Sequence, residues 1–156
     1  YHFDNVYMSR GSQRLLTCWT PFGDIPISQG TLAVCAGSNH LPGFAKVRDT
    51  YGKMDVDRDH VDGWFSNDPL EITKKFGGQW VTADMRAGDV IIITMFTLHG
   101  STNNTTNRWR LSCDTRFQPA ADPVDERWVG PKPKAHYAWH TGKIKQMAEA
   151  RAEWGV

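Results

Sequence analysis

Residues 86–101, RAGDVIIITMFTLHGS, are the stretch that decides the fold. The turn Arg86–Asp89 leads into the continuous apolar run Val90–Phe96, which is typical of a β-strand buried on both faces. His99 follows at the end of this strand, directly before Gly100. A side chain at the rim of a rigid strand is well placed to bind a ligand, because the sheet holds its backbone. The stretch therefore predicts a buried strand with a functional histidine at its end.

Other β-prone runs lie on both sides of this stretch. Leu15–Thr20, Thr31–Cys35 and Trp80–Thr82 precede it, with Pro and Gly residues between the runs. Arg108–Phe117 follows it, after a loop rich in Asn and Thr. Many short strands with Gly and Pro turns favour a mainly β fold, a sandwich or barrel with peripheral helices.

Helices are predicted at two places. Asp68 can cap a short helix over residues 69–76 and Gly77 can end it, while a final helix is predicted over residues 141–154. Residues 44–67 are polar and rich in Asp, Arg and Gly, which predicts a long excursion over the surface. Such excursions often act as lids over a site.

The length of 156 residues fits a single domain. We predict one domain over residues 1–156, with residues 1–119 as a core barrel and residues 120–156 as a C-terminal extension with a helix. His2 stands at the start of the chain with no strand or helix before it, so we expect that the N-terminal part of a longer protein is missing. The sequence indicates no oligomeric state.

The composition argues against several classes of partner. With 18 Lys+Arg against 17 Asp+Glu, the chain has no broad charged surface for nucleic acid or an anionic membrane. No apolar run has the length that spans a bilayer, and no signal-peptide pattern opens the chain. Cys18, Cys35 and Cys113 are too few and too scattered for a disulfide framework and are typical of thiols in a reducing compartment. We therefore expect a cytoplasmic protein.

Three residues have the composition of a metal site. His2 and Asp4 are two positions apart, a spacing that puts both side chains on one face of a strand. Together with His99 they could occupy one face of an octahedral ion and leave three positions open, as in non-haem Fe(II) oxygenases. Taken alone, His2 could be a disordered terminal residue, and His99 could be a core histidine bonded to the backbone.

Two arginines could hold the carboxylate of a keto-acid cosubstrate. Arg108 and Arg110 alternate on a predicted strand, so both could face the same side. A guanidinium group can donate two parallel hydrogen bonds to one carboxylate, which makes arginine the preferred anchor. Ser112 follows Arg110 closely, and such a pair can share one carboxylate.

Other polar residues have a structural interpretation. Asp114 and Arg116 alternate on one strand and are predicted to form an ion pair. His136 and His140 have the spacing of a helical metal pair but no third ligand, so we interpret both as surface residues. The tail either forms a contact surface or, as we prefer, packs back onto the barrel through its tryptophans, Trp128, Trp139 and Trp154.

Several motifs occur in a characteristic order. They are His2-x-Asp4, CWTP at 18–21, GTLAV at 30–34, GSNH at 37–40, RAGDV at 86–90, HGS at 99–101, Asn104, Arg110 and RFQP at 116–119. From His2 to about Pro119 this order resembles the phytanoyl-CoA dioxygenase family of Fe(II)/2-oxoglutarate oxygenases. Two features depart from the family pattern. No long region precedes the His-x-Asp pair, and Asn39 is inserted between the usual Ser and His.

The resemblance implies a double-stranded β-helix, also described as a jelly-roll or cupin-like barrel. It implies that Fe(II) is bound by His2, Asp4 and His99, that 2-oxoglutarate fills two further positions, and that O2 takes the last. Arg110 has the family's spacing from the second histidine and is the favoured anchor for the far carboxylate, with Ser112 beside it. The remaining cosubstrate candidates are Ser101 as a hydroxyl donor, Trp19 as a wall or plain core residue, and Arg108 as a contact for substrate or solvent.

The reaction implied by the resemblance is hydroxylation of a small organic substrate, coupled to conversion of 2-oxoglutarate and O2 into succinate and CO2, with ascorbate as an optional addition in vitro. Asp4 argues against the halogenating variant, which needs a vacant carboxylate position. Three alternatives stay open: a truncated or non-catalytic metal- or ligand-binding relative, a cupin-like dioxygenase without a keto acid, and an interaction module. Arg110 and Ser112 argue against the second.

Overall fold

A computed structural model describes residues 1–136 and 147–155 of the chain. Within these ranges the fold is β-rich, with two small antiparallel sheets and a few short helices. The predicted class, mainly β with peripheral helices, is confirmed at this level. The division of the chain at residue 119 stays a prediction.

Each sheet has three strands. The first sheet has β1 (Leu16–Pro21) at its centre, flanked by β4 (Ile91–Thr94) and β6 (Ser112–Phe117). The second sheet has β2 (Leu32–Ala36) at its centre, flanked by β3 (Gln79–Val81) and β5 (His99–Ser101). From β3 to β6, successive strands belong to alternate sheets, so the chain crosses between the sheets at every connection.

The predicted last strand is shorter than expected. It begins at Ser112 rather than Arg108, because the preceding residues form a loop that is tied to the segment around Gln29. In that loop the side chain of Gln29 donates a hydrogen bond to the carbonyl of Trp109 at 2.7 Å. The sequence did not predict β5, whose three residues include His99.

The run Val90–Phe96 is not buried on both faces, so that prediction is wrong. Its regular strand is β4, in which Ile93 is buried while Ile92 is 58% exposed; Val90, just before it, is 50% exposed. Burial alternates along β4, so one face packs inward and the other face is left uncovered by the described residues. Within the described part of the chain, β4 also lies at an edge of its sheet, where it pairs with β1. An apolar run alone does not reveal which strand of a sheet lies at an edge.

The described residues form five α-helices: α1 (Asn5–Met8), α2 (Ala45–Asp49), α3 (Val56–Asp59), α4 (Pro69–Phe76) and α5 (Met147–Trp154). The helix predicted over residues 69–76 is present as α4. The carboxylate of Asp68 accepts hydrogen bonds from the backbone N–H groups of Leu70 and Glu71, and Gly77 ends the helix at a φ of 83°. Of the predicted final helix, the part before residue 147 lies outside the described residues.

Residues 44–67 are not a surface excursion, contrary to the sequence interpretation. They contain α2, α3 and two short 3-10 turns, and Phe44, Val47 and Val56 are buried. Phe44 and Val47 pack in one core cluster with residues that come before and after this segment in the sequence: Phe3, Cys35, Ile72 and Leu98. The apolar residues are few, but Phe44, Val47 and Val56 point into the core, which composition alone does not show.

The three cysteines are free thiols, as predicted. Among the described residues, none of the helices combines the length and the apolar composition needed to cross a bilayer.

A buried ion network fastens the segment after β6 to the rest of the fold. The guanidinium group of Arg127, only 4% exposed, lies 2.6 Å from Asp125, 2.7 Å from Asp57 and 3.3 Å from Asp55. Burial by itself lowers the pKa of Arg127, but the hydrogen bonds to the carboxylates outweigh it and raise the pKa above its ordinary value. The network holds residues 125–127 against α3.

We expect Arg127→Ala to lower the free energy of unfolding by about 3 kcal/mol or more, because it leaves buried carboxylates without a partner. Arg14→Ala is the matched control, since Arg14 is 69% exposed in its pair with Asp122 and exposed ion pairs contribute little to stability. Urea unfolding followed by circular dichroism measures both. Equal losses in the two variants would contradict the structural role of the network.

Candidate metal centre

His2 and His99 are brought together by the backbone. The N–H of His2 donates to the carbonyl of His99 at 3.0 Å, and the N–H of His99 donates back at 3.1 Å, which is an antiparallel bridge. The N-terminal residues thus extend the second sheet beside β5. The two imidazole rings come to lie with their centroids 4.4 Å apart.

Asp4 reaches the same place by a different route from the one predicted. It does not continue a strand but caps α1, with helical backbone angles of φ −61° and ψ −27°. Its carboxylate makes no cap hydrogen bond and instead turns towards the histidines: Oδ1 lies 3.6 Å from Nε2 of His2 and 3.4 Å from Nε2 of His99. The ligand atoms of these three residues, hereafter the triad, all lie within 4.8 Å of one another.

The carboxylate of Asp4 is buried, and polar side chains surround both of its oxygens. Its second oxygen, Oδ2, accepts a hydrogen bond from the hydroxyl of Thr17 and lies 4.0 Å from Nη2 of Arg116. Burial by itself raises the pKa of Asp4, but the interactions with His2 and Thr17 and the charge of Arg116 hold it well below its ordinary value. Asp4 is therefore an anion in a buried position, as a metal ligand requires.

The ring of His99 is also oriented towards the centre of the triad. It is 6% exposed, and its Nδ1 donates a hydrogen bond to the carbonyl of Thr97 at 2.9 Å, which leaves Nε2 free to face Asp4. Burial lowers the pKa of His99, so the imidazole is neutral near pH 7. Two imidazoles and one carboxylate fit a divalent metal such as Fe(II), and Asp4 and His99 each have a partner that orients them.

The triad opens into a cavity of about 430 Å³, hereafter the site cavity. Arg110 lines it, and its guanidinium group donates to the hydroxyl of Ser112 at 2.8 Å and to that of Ser101 at 3.2 Å. The same guanidinium carbon lies 5.7 Å from the ring centre of Trp19, which is 4% exposed. Four of the five residues predicted for the cosubstrate therefore meet in the cavity that contains the triad.

Arg108 is the exception among those five. It is exposed and does not line the site cavity. Its backbone is held by the loop, because Asn104 donates to its carbonyl at 2.8 Å. The two alternating arginines thus separate, with Arg110 turned to the cavity and Arg108 to solvent.

His136 is not the surface residue that the sequence analysis predicted. It lines the site cavity, with its ring 5.0 Å from that of Tyr7 and 5.2 Å from that of Trp128. Its predicted partner His140 and the nearby Trp139 lie outside the described residues. No spacing or motif in the sequence connects Tyr7, Trp128 and His136, so only the tertiary structure could have revealed them.

The predicted pair Asp114 and Arg116 is present, with 3.5 Å between Oδ2 and Nη2, but both residues also line the site cavity. The segment 44–67, interpreted from its sequence as a lid, contributes none of the residues that line this cavity. Instead, the cavity is closed by residues of both sheets, of α1 and of the segment after β6.

Residues 1–112 match the family described as phytanoyl-CoA dioxygenase (PhyH). The chain belongs to the PhyH family. The resemblance in its sequence motifs is thereby confirmed. No curated protein matches this PhyH-family chain significantly.

Two crystal structures are similar to this PhyH-family chain. One is that of the non-heme alpha ketoglutarate dependent epimerase SnoN from nogalamycin biosynthesis, with 22% identity, a TM-score of 0.55, and coverage of 85% of this chain and 49% of that one. The other is that of the epimerase SnoN in complex with Fe3+, alpha ketoglutarate and nogalamycin RO, with 21% identity, a TM-score of 0.54 and the same coverage. At this identity the likeness shows a shared fold, and the chain spans about half the length of the two solved chains.

In the metal-free protein, we expect the pKa of His99 to lie below its ordinary value of 6.5, because burial disfavours the charged imidazole. The unfolded chain then takes up the proton first, so the free energy of unfolding falls as the pH drops below 6.5. Nitrogen-15 NMR of the ring measures the titration, with His99→Gln to identify the signals. A midpoint at or above the ordinary value, or a neutral ring protonated at Nε2, would contradict the site geometry.

Proposed function

We propose that this chain carries the iron and cosubstrate site of an Fe(II)/2-oxoglutarate-dependent dioxygenase that hydroxylates a small organic substrate. 2-Oxoglutarate and O2 are converted to succinate and CO2 in the process. The observation that carries the proposal is the site cavity: the triad and Arg110, the four residues most specific to this chemistry, all line it.

His2, Asp4 and His99 would hold the iron on one face and leave the opposite face open. Bound iron, together with 2-oxoglutarate and O2, supplies the oxidising power to cleave a C–H bond, which no side chain provides. The chain's own part is to orient the ligands. Thr17 directs Oδ2 of Asp4 away from the metal position, and the Thr97 carbonyl fixes the ring of His99.

Arg110 would bind the far carboxylate of 2-oxoglutarate. Its guanidinium group already has two hydroxyl partners, Ser112 and Ser101, and it lies over the ring of Trp19. A side chain held in this way loses little conformational entropy when it binds a carboxylate. The two hydroxyls can share the same carboxylate, and the buried indole excludes water from this side of the cavity.

The two sheets would be opposite faces of a double-stranded β-helix. The alternation of β3 to β6 between the sheets supports this proposal, because such a barrel is built by strands that cross from sheet to sheet. The site cavity receives residues from both sheets, as expected for a ligand in the mouth of a barrel. A reducing compartment such as the cytoplasm suits the three free thiols.

A non-catalytic relative that binds metal or ligand without turnover is the competing proposal. Against it stands the presence of two histidines, an ionised aspartate and an anchored arginine in one cavity. A structural protein has no need of this combination, which is costly to bury.

We expect the protein, mixed with Fe(II), ascorbate, 2-oxoglutarate and air, to form succinate, and His99→Ala to abolish this activity because one metal ligand is lost. His40→Ala is the matched control, since His40 is exposed and does not line the site cavity. Succinate is measured by mass spectrometry. Metal binding without succinate would support the non-catalytic relative, and a converted substrate that gains no oxygen atom would refute hydroxylation.

We expect Arg110→Ala to raise the apparent KM for 2-oxoglutarate roughly 100-fold. Charge-assisted hydrogen bonds contribute about 1.5–3 kcal/mol, and each 1.4 kcal/mol is a factor of ten in affinity. Arg108→Ala is the matched control and should leave the KM unchanged, because its side chain faces solvent. Titration of 2-oxoglutarate in the succinate assay measures both constants. A larger rise of the KM in Arg108→Ala than in Arg110→Ala would indicate that Arg108 is the anchor instead.

A further inference from the structure

The site cavity has lining residues beyond the triad and the proposed cosubstrate residues, and these form its second side. Arg110, Ser101, Ser112 and Trp19 are grouped on one side by their mutual contacts. The rest of the lining includes residues from α1 and from the segment after β6. This second side is the space left for a substrate, and its chemistry indicates which substrates fit.

Aromatic rings form a continuous series along this second side. The ring of Tyr7 packs edge-on against the metal-ligand candidate His2, with 5.1 Å between centroids. The ring of His136 lies 5.0 Å from Tyr7, and that of Trp128 lies 5.2 Å from His136. Tyr7, His136 and Trp128, hereafter the aromatic wall, thus lead directly from the triad into the cavity.

The aromatic wall is held in place before any ligand binds. The N–H of Trp128 donates to the carbonyl of Asp125 at 3.1 Å, and the N–H of Ala135 donates to the carbonyl of Arg127 at 2.8 Å. Arg127 is in turn fixed by the buried ion network. Tyr7 rests against Gly63, where a side chain would overlap its ring. A wall fixed in this way binds a rigid ring without having to order itself first.

Arg116 and Asp114 add a polar pair to the same cavity. They come from β6, with 3.5 Å between Nη2 and Oδ2, and both are partly exposed. The guanidinium group of Arg116 is not saturated, because its Nε is buried without a hydrogen-bond partner and Asp4 is 4.0 Å away. One donor and one acceptor beside the aromatic wall suit hydroxyl or carbonyl oxygens on a ring.

We propose that the aromatic wall is the substrate subsite and that it binds a flat ring compound with oxygen substituents, which Arg116 and Asp114 hold. The inference rests on the proposed function and names its substrate class. Stacking against aromatic side chains favours a planar body, and the polar pair favours oxygens at its rim. Among the described residues, Arg110 and Arg116 are the Lys or Arg side chains that line the cavity. Because Arg110 is assigned to the cosubstrate and Arg116 to a ring oxygen, the phosphates of a long acyl-CoA thioester have no further arginine or lysine there, and such a substrate fits poorly.

The test uses the full chain loaded with Ni(II) and saturating 2-oxoglutarate, so that ligands bind without turnover. The probe is 2,6-dihydroxynaphthalene, which is flat, carries an oxygen at each end and has no carboxylate to compete for Arg110. Isothermal titration calorimetry measures its Kd. We expect Trp128→Ala and His136→Ala to weaken binding at least tenfold, Trp128→Phe to restore it to within about threefold, and 2-oxoglutarate binding to stay unchanged in all three.

Trp64→Ala is the matched control, because Trp64 is 52% exposed and does not line the site cavity. Unchanged probe affinity in Trp128→Ala, or an equal loss in Trp64→Ala, would overturn the inference. Binding of dodecanoyl-CoA in place of the naphthalene would also overturn it. Failure of the proposed function is recognised separately, because the unmodified chain would then form no succinate in the assay described above.

Discussion

The pair of backbone hydrogen bonds between His2 and His99 is the constraint on which the rest of the site depends. It joins the start of the chain to β5 and so adds the first residues to the second sheet. Because this bridge fixes two metal-ligand candidates relative to each other, the turn into α1 has only to bring Asp4 between them. Without the bridge, the candidate metal ligands would lie on two segments whose relative position these hydrogen bonds no longer fix.

The electrostatics of the site follow from this placement. A buried carboxylate is costly unless it is paired, and Asp4 is paired on both oxygens, with imidazoles on one side and Thr17 on the other. The same principle operates in the network of Arg127, where carboxylates from two distant segments share one guanidinium group. The paired Asp4 and the Arg127 network both hold segments that line the site cavity, so these polar residues also stabilise the fold.

Local signals in the sequence were reliable wherever the local chain decides the structure. The cap at Asp68 and the stop at Gly77 place α4 correctly, since both act within one turn of helix. Patterns that depend on distant packing failed. The apolar run at residues 90–96 does not reveal that β4 lies at a sheet edge, and the polar composition of residues 44–67 hides the buried Phe44.

By itself, the sequence determined the family, the β-rich class, the candidate metal ligands His2, Asp4 and His99, and the candidate carboxylate anchor Arg110. These depend on residue types at short or motif-specific spacings. Only the tertiary structure decided which of the two alternating arginines faces the cavity, and that His136 belongs to it. Those outcomes depend on how strands and segments distant in sequence pack against one another. Packing of this kind is a property of the whole fold, and no local pattern of residues encodes it.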